Sequence, residues 1–199
     1  MKIIISVFMA LFSVSIANAE FYFFANVDKT GNPLFGDTKN QFFLNIGQGI
    51  AGTWMLELPK NPVPFNMFHF QYSQPIKFFR LPARLSLNIK QTIGYGESEC
   101  QYGIWDWRDF TTSILFLSTD YLLIWTNKWY LGNGIGTGIQ MRENDRIGTK
   151  FLLGLKLFMG YNITESWRME VFFNHLSNGS TAPQNYSYNF YGLGFGYNF

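Results

Sequence analysis

The sequence predicts an all-β protein, an eight-stranded antiparallel transmembrane β-barrel that follows a cleaved signal peptide. Aromatic residues make up 20% of the 199-residue chain and charged residues only 14%, which is little charge for a soluble protein of this size. Large apolar residues recur at every second position in the C-terminal segments. Beyond the N-terminus, no apolar run is long enough for a transmembrane helix. These observations together favour a membrane barrel, which spreads its apolar residues along alternating strands.

The N-terminal segment has the order of a secretory signal peptide. Lys2 supplies the positive charge, an uncharged apolar run follows from Ile3 to Ile16, and Ala17-Asn18-Ala19 is a small-x-small cleavage site. The chain is thereby divided into a signal peptide at 1–19, an N-terminal lead-in at 20–40 and an outer-membrane barrel at 41–199.

Eight strand-like segments fill the barrel region. Turn-forming residues separate most of them, as at Leu58-Pro59-Lys60-Asn61-Pro62 and Arg142-Glu143-Asn144-Asp145. The predicted strands lie near 41–54, 64–75, 83–96, 109–126, 128–140, 147–163, 166–177 and 188–199.

The last segment shows which face meets lipid. Its odd positions, from Tyr191 to Phe199, are mostly large and apolar, whereas Gly192, Gly194 and Gly196 lie between them. A narrow membrane barrel needs this division, because its outer face meets hydrocarbon and its lumen is crowded. A soluble barrel such as a lipocalin would instead place the large residues inside.

The sixth and seventh segments repeat this alternation. Their odd positions carry apolar residues, from Ile147 to Met159 and from Met169 to Phe173. Lysine, arginine and glutamate fall at even, lumenal positions, where we expect them to pair with one another. These are Lys150, Lys156, Arg168 and Glu170. The crowded and charged lumen disfavours a channel.

The even number of strands predicts the orientation of the barrel. Both termini of such a barrel lie in the periplasm, so the seventh strand ends at the extracellular rim near His175 to Ser177. The segment from Asn178 to Ser187 is then a surface loop. The aromatic C-terminal residue, Phe199, looks like the signal that the outer-membrane assembly machinery reads. The predicted location is therefore the bacterial outer membrane.

A candidate catalytic group lies at this rim. His175 and Ser177 are two residues apart on one strand and share the outward face. A serine nucleophile needs a neighbouring imidazole as its base, and a third group holds the imidazole. Asn189 has the same parity at the start of the next strand and is a candidate for that group. Candidate donors to a developing oxyanion are Asn178, Gly179 and Asn185. Hydrogen bonding of these residues to lipid headgroups or water is the alternative.

From about Asn144 onward, the chain resembles PagL, a family of lipid A deacylases that are eight-stranded outer-membrane barrels. The Asp145-Arg146-Ile147-Gly148 run and the His175-x-Ser177-Asn178 motif carry the resemblance. It implies that Ser177 attacks an acyl ester of lipid A with His175 as its base. It also associates Asn178 and Asn185 with the site. The chain departs from the family at Asn189, where the family pattern has a glutamate fourteen residues after the histidine.

The predicted function is an outer-membrane esterase that removes an ester-linked hydroxyacyl chain from lipid A of lipopolysaccharide in the outer leaflet. Neither a cofactor nor a metal is expected, since His69 and His175 lie on different strands without a carboxylate cluster. No basic run indicates a nucleic-acid partner, and the oligomeric state stays open. The alternative is a non-enzymatic barrel, structural or adhesive, with an incomplete triad.

Overall fold

A computed structural model describes residues 22–23, 39–50, 62–78, 81–94, 97–100, 103–106, 110–144 and 146–199. Within them, eight long strands form a closed antiparallel barrel, which confirms the predicted fold class. The predicted signal peptide at 1–19 and most of the lead-in at 20–40 lie outside the described residues. No helix in the described part of the chain is long and apolar enough to cross a membrane.

Around the barrel, each strand pairs with the next in the chain, and the last pairs with the first. The eight barrel strands are β2 (Gln41–Ile50), β3 (Pro62–Phe78), β4 (Leu81–Gly94), β7 (Thr112–Trp125), β8 (Trp129–Gln140), β9 (Phe151–Asn162), β10 (Trp167–Ser177) and β11 (Tyr188–Asn198). Three short strands are additional: β1 (Tyr22–Phe23), β5 (Glu97–Cys100) and β6 (Gly103–Asp106). β1 pairs with the end of β7, and β5 pairs with β6 in a hairpin that the sequence analysis did not predict.

The described strand ends lie within four residues of the predicted ones, and the largest differences, of four residues each, are at the end of β2 and the start of β9. The sixth strand was predicted to begin at residue 147 but begins at Phe151. Ile147 is therefore not lipid-facing; it is fully buried in a turn, in the main hydrophobic cluster. Lys150 lies outside the strand and is exposed, so its predicted lumenal position is wrong as well. The apolar residues at odd positions continue beyond the true start of the strand, because a buried turn residue is as apolar as a lipid-facing strand residue.

The alternation of the strands gives the barrel an apolar outer surface. Phe195 and Tyr197 of β11 are exposed, whereas Gly194 and Gly196 face a lumen filled by Phe43 and other side chains. The other barrel strands repeat this division. Exposed apolar residues on them include Leu44, Ile46, Phe68, Phe70, Leu87, Ile89, Leu115, Leu117, Leu131, Ile135, Phe151, Leu153 and Leu157.

Four charged side chains cross the middle of the lumen. The Arg84 guanidinium donates to Asp120 Oδ2 at 2.8 Å and, through two nitrogens, to both oxygens of Glu170 at 2.8 and 3.0 Å. Lys156 Nζ donates to Glu170 Oε2 at 3.1 Å, which confirms that the lumenal lysine and glutamate pair. The Tyr130 hydroxyl donates to Glu170 as well, at 3.0 Å. Two cations and two anions therefore balance, and the barrel core is filled with side chains.

This ion network makes Glu170 a strong determinant of barrel stability. We expect Glu170→Gln to lower the free energy of unfolding by about 3 kcal/mol, because Arg84 and Lys156 then lose a buried carboxylate partner. Urea unfolding of the barrel in detergent, followed by tryptophan fluorescence, measures the change. Glu165→Gln, at an exposed turn residue, is the matched control. Equal stabilities of the two variants would contradict the proposed role of the network.

The termini of the barrel lie at the end opposite to the predicted site. The N–H of Phe199 donates to the Asn40 carbonyl at 3.0 Å, and the N–H of Asn198 donates to the carbonyl of Ser166, in the turn before β10. β10 runs from this end towards Ser177. The ends of β10 and β11 that carry His175, Ser177 and Asn189 therefore form the other rim, which is the predicted extracellular one.

Candidate active site

His175 and Asn189 lie directly opposite each other on β10 and β11. His175 Nδ1 and Asn189 Oδ1 are 2.7 Å apart and form a hydrogen bond. Because an amide oxygen only accepts hydrogen bonds, the proton of this bond belongs to Nδ1. The neutral imidazole then carries its free lone pair on Nε2, which is the form that a general base needs.

Ser177 is the last residue of β10 and is half-buried, as is His175. The two side chains share the outer face of the barrel, as predicted, because two residues make one full period of a strand. The described structure has no hydrogen bond between His175 and Ser177. Such contacts in hydrolases are often long without substrate and shorten when it binds. The strand places Ser177 and His175 side by side, and the register places Asn189 opposite the imidazole.

An apolar strip runs down the outer surface from these residues. Leu153 lies opposite Ser177 and Leu155 lies opposite His175, both on β9. Further down β10, the Phe173 ring packs against the ring of Tyr191, with centroids 5.0 Å apart. Val171 and Met169 continue the strip on the same face. A hydrocarbon chain along this strip would have its polar end near Ser177.

Asn178 holds the loop that joins β10 to β11. Its amide nitrogen donates to the Ile147 carbonyl at 2.6 Å and to the Gln184 carbonyl at 2.7 Å, and the Ala182 carbonyl lies at 3.3 Å. Its Oδ1 accepts the N–H of Ser180 at 2.8 Å. Both amide hydrogens are thus used inside the protein, and the Asn178 side chain is fully buried.

Two of the predicted oxyanion donors, Gly179 and Asn185, have N–H groups that donate no hydrogen bond to the described residues. Asn185 Oδ1 accepts the backbone N–H of Asn178 at 3.0 Å, and its amide nitrogen donates to no residue in the described part of the chain. The N–H of Gly179 likewise has no acceptor among the described residues. Gly179 has a φ of 61°, a left-handed conformation that glycine adopts without steric cost. A side chain here would also meet Leu153 at 2.6 Å.

No acid takes the place that Asn189 occupies. Glu170 is the last acidic residue of the chain, and its carboxylate lies in the lumen against Arg84 and Lys156. The imidazole of His175 therefore has an amide partner on Nδ1. Among the described residues, no group of three histidine, cysteine, aspartate or glutamate side chains lies close enough to hold a metal ion.

The structure also shows support residues that the sequence analysis did not find. Arg146 and Asn144, in the loop between β8 and β9, contact Ser187 and Tyr188 just before Asn189. In the sequence, Arg146 is distinguished only as a member of the Asp145-Arg146-Ile147-Gly148 run, which carries the family resemblance. The contacts join residues about forty positions apart, so no spacing in the sequence indicates them.

The chain is similar to one protein family and to several solved structures. A family model described as lipid A 3-O-deacylase (PagL) matches residues 67–198. A search of curated proteins found no match. Among solved structures, the crystal structure of the outer membrane enzyme PagL is 13% identical at a TM-score of 0.49, over 77% of this chain and 97% of that chain. Ail of Yersinia pestis, in a phospholipid bilayer nanodisc, is 13% identical at a TM-score of 0.45, over 82% of this chain and 100% of that chain.

Proposed function

Because this chain belongs to the PagL family of lipid A 3-O-deacylases and forms a β-barrel of the bacterial outer membrane, we propose that it hydrolyses an acyl ester of lipid A by a serine–histidine mechanism. The hydrogen bond between His175 Nδ1 and Asn189 Oδ1, beside Ser177 on the outer face, carries this proposal. It fixes the tautomer in which Nε2 is free to accept a proton. The substrate is an ester-linked hydroxyacyl chain in the outer leaflet.

The reaction has two steps. In the first, His175 Nε2 takes the proton of the Ser177 hydroxyl while Oγ attacks the ester carbonyl. The proton then passes to the sugar oxygen, the C–O bond breaks, and the acyl chain remains on Ser177. In the second step, His175 takes a proton from water, and the resulting hydroxide attacks the acyl-enzyme. The hydroxylated fatty acid leaves and the serine hydroxyl regains its proton.

The loop supplies donors for the oxyanion that forms in each step. We assign this role to the Gly179 N–H and the Asn185 amide, which donate no hydrogen bonds within the described part of the chain. Asn178 then acts indirectly, since its side chain fixes the loop that carries both donors. Fixed donors aimed at a developing negative charge are usually the largest single contribution to catalysis in such sites.

The outward face suits a lipid substrate that diffuses laterally in the membrane. The lumen is filled by the Arg84 network, so no route through the barrel is needed or present among the described residues. The acyl chain lies against Phe173, Val171 and Met169 in hydrocarbon, and its ester lies at the level of Ser177 at the rim. Substrate recognition and lipid solvation thus use the same apolar surface.

The histidines offer a matched test of this function. We expect expression of the wild-type chain to remove one hydroxyacyl mass from cellular lipid A, and His175→Gln to abolish that loss, because the base is removed. His69→Gln replaces a buried lumenal histidine that hydrogen-bonds Asn88 and should leave the mass loss intact. Mass spectrometry of lipid A measures both. Equal deacylation by the wild type and a folded His175→Gln barrel would exclude the proposed mechanism.

A non-enzymatic barrel is the second candidate, and the amide at Asn189 favours it. An amide orients the imidazole but cannot stabilise the imidazolium by charge. Unchanged lipid A in cells that carry the folded wild-type barrel in their outer membrane would support this candidate.

A further inference from the structure

We propose that Arg146 is a positioning residue that holds Asn189, and through it His175, in the catalytic geometry. The inference rests on the proposed function, because it assigns a role within that same site. Arg146 lies in the loop between β8 and β9 and does not touch the candidate catalytic side chains in the described structure. It binds Tyr186 and Ser187, in the segment that leads into Asn189.

Arg146 binds the end of the loop between β10 and β11 through both its backbone and its side chain. Its carbonyl accepts the N–H of Tyr186 at 2.9 Å, and its Nε donates to the carbonyl of Ser187. Ser187 has a φ of 57°, a left-handed conformation that is unfavourable for a residue with a side chain. The bond to Arg146 therefore fixes the chain where it turns into β11, two residues before Asn189.

A second contact holds the residue between Ser187 and Asn189. The hydroxyl of Tyr188 donates to Gln140 Oε1 at 3.1 Å and accepts a hydrogen bond from the amide of Asn144. Asn144 Oδ1 in turn accepts the N–H groups of Arg146 and Ile147, both at 3.1 Å. The loop that carries Arg146 thus hydrogen-bonds both residues that precede Asn189: Arg146 binds Ser187, and Asn144 binds Tyr188.

The guanidinium itself has little freedom to move. Arg146 is 3% exposed and lies over the rings of Phe65 and Phe110, with its Cζ at 5.5 and 5.6 Å from their centroids. Phe65 packs against Phe190, the residue after Asn189, with centroids 5.0 Å apart. A planar guanidinium can stack on rings and donate in its own plane at the same time, which an ammonium cannot do.

The consequence for the site follows from the β10–β11 register. Asn189 Oδ1 reaches His175 Nδ1 only while the first residues of β11 keep their place opposite His175. Release of Ser187 frees this strand start, and the amide then loses its fixed distance to the imidazole. The histidine tautomer is no longer set, and the fraction of enzyme with a free Nε2 lone pair falls.

The kinetic test uses Arg146→Met, which keeps an unbranched apolar chain between the rings. We expect kcat for lipid A deacylation to fall about 10²-fold, the cost of misplacing a catalytic group by about 1 Å, with little change in KM. Arg142→Met, at an exposed arginine in the same loop, is the matched control and should keep the wild-type kcat. In the Asn189→Ala background, Arg146→Met should have almost no further effect on kcat. A full and multiplicative loss in that background would overturn the proposal.

A second measurement separates this inference from the proposed function. The untagged chain has two histidines, so ¹⁵N NMR of the imidazoles resolves His175 against His69 as an internal reference. Arg146→Met should move the His175 ring nitrogens towards the average of two tautomers and leave His69 unchanged. If the wild type is inactive but Arg146→Met still shifts the His175 signals, the enzymatic function is excluded and the positioning role stands. Unchanged His175 signals in Arg146→Met would overturn the positioning role, whatever the activity.

Discussion

Ser177→Ala is expected to lower kcat for lipid A deacylation about 10³-fold or more. The substitution removes the oxygen that attacks the ester, so only bound water and the oxyanion donors remain to promote hydrolysis. In a serine protease with a complete triad, loss of the serine costs about 10⁶ in kcat. The decrease is expected to be smaller here, because Asn189 gives the wild type a weaker starting triad.

The measurement is the rate of fatty acid release from lipid A in mixed micelles by the purified barrel. Ser166→Ala, in the turn at the other end of β10, is the matched control, because Ser166 binds Asn198 through its backbone carbonyl, which the substitution keeps. Folding is checked for each variant by the difference in electrophoretic mobility between heated and unheated samples. A folded Ser177→Ala barrel with the wild-type rate would rule out Ser177 as the nucleophile.

Asn189→Asp is expected to raise kcat about 10²-fold or more. The carboxylate has nearly the same shape as the amide and can accept the Nδ1 hydrogen of His175 in the same position. It also adds a negative charge next to the imidazolium that forms in the transition state, in a site of low dielectric. The reverse change in one serine protease cost about 10⁴ in turnover, which sets the upper range of the gain.

The same release assay tests this prediction. Asn127→Asp, in an exposed turn at the opposite end of the barrel, controls for the added charge. Asn189→Ala tests the opposite change: its kcat should fall below that of the wild type, because the imidazole loses its partner on Nδ1. If a folded Asn189→Asp barrel is no faster than the wild type, the missing charge beside the imidazolium of His175 does not limit this enzyme.

The barrel itself was predictable because its signal is local and periodic. In β11, alternation of Tyr191, Leu193, Phe195 and Tyr197 with glycine shows an outer and an inner face without any knowledge of the neighbouring strands. The same period placed His175 and Ser177 on the outer face, where the structure has them. The signal failed at Ile147, because a buried turn residue and a lipid-facing strand residue are both apolar.

The sequence analysis named Asn189 as a candidate for the group that holds the His175 imidazole, and only the structure shows the hydrogen bond itself. The sequence showed equal parity and adjacent strands. Whether the two residues lie opposite each other depends on the length of the loop between β10 and β11 and on the strand register, which a loop of ten residues does not fix.

The sequence by itself therefore determined the eight strands, their two faces, and the rim on which His175 and Ser177 lie. The tertiary structure decided which groups support them: Asn189 on the imidazole, Asn178 inside the loop, and Arg146 on the strand start. The physical reason is the range of the interactions. Strand alternation arises within a few residues, whereas the Arg146–Ser187 bond joins positions 41 apart and forms only when the closed barrel brings the loops together.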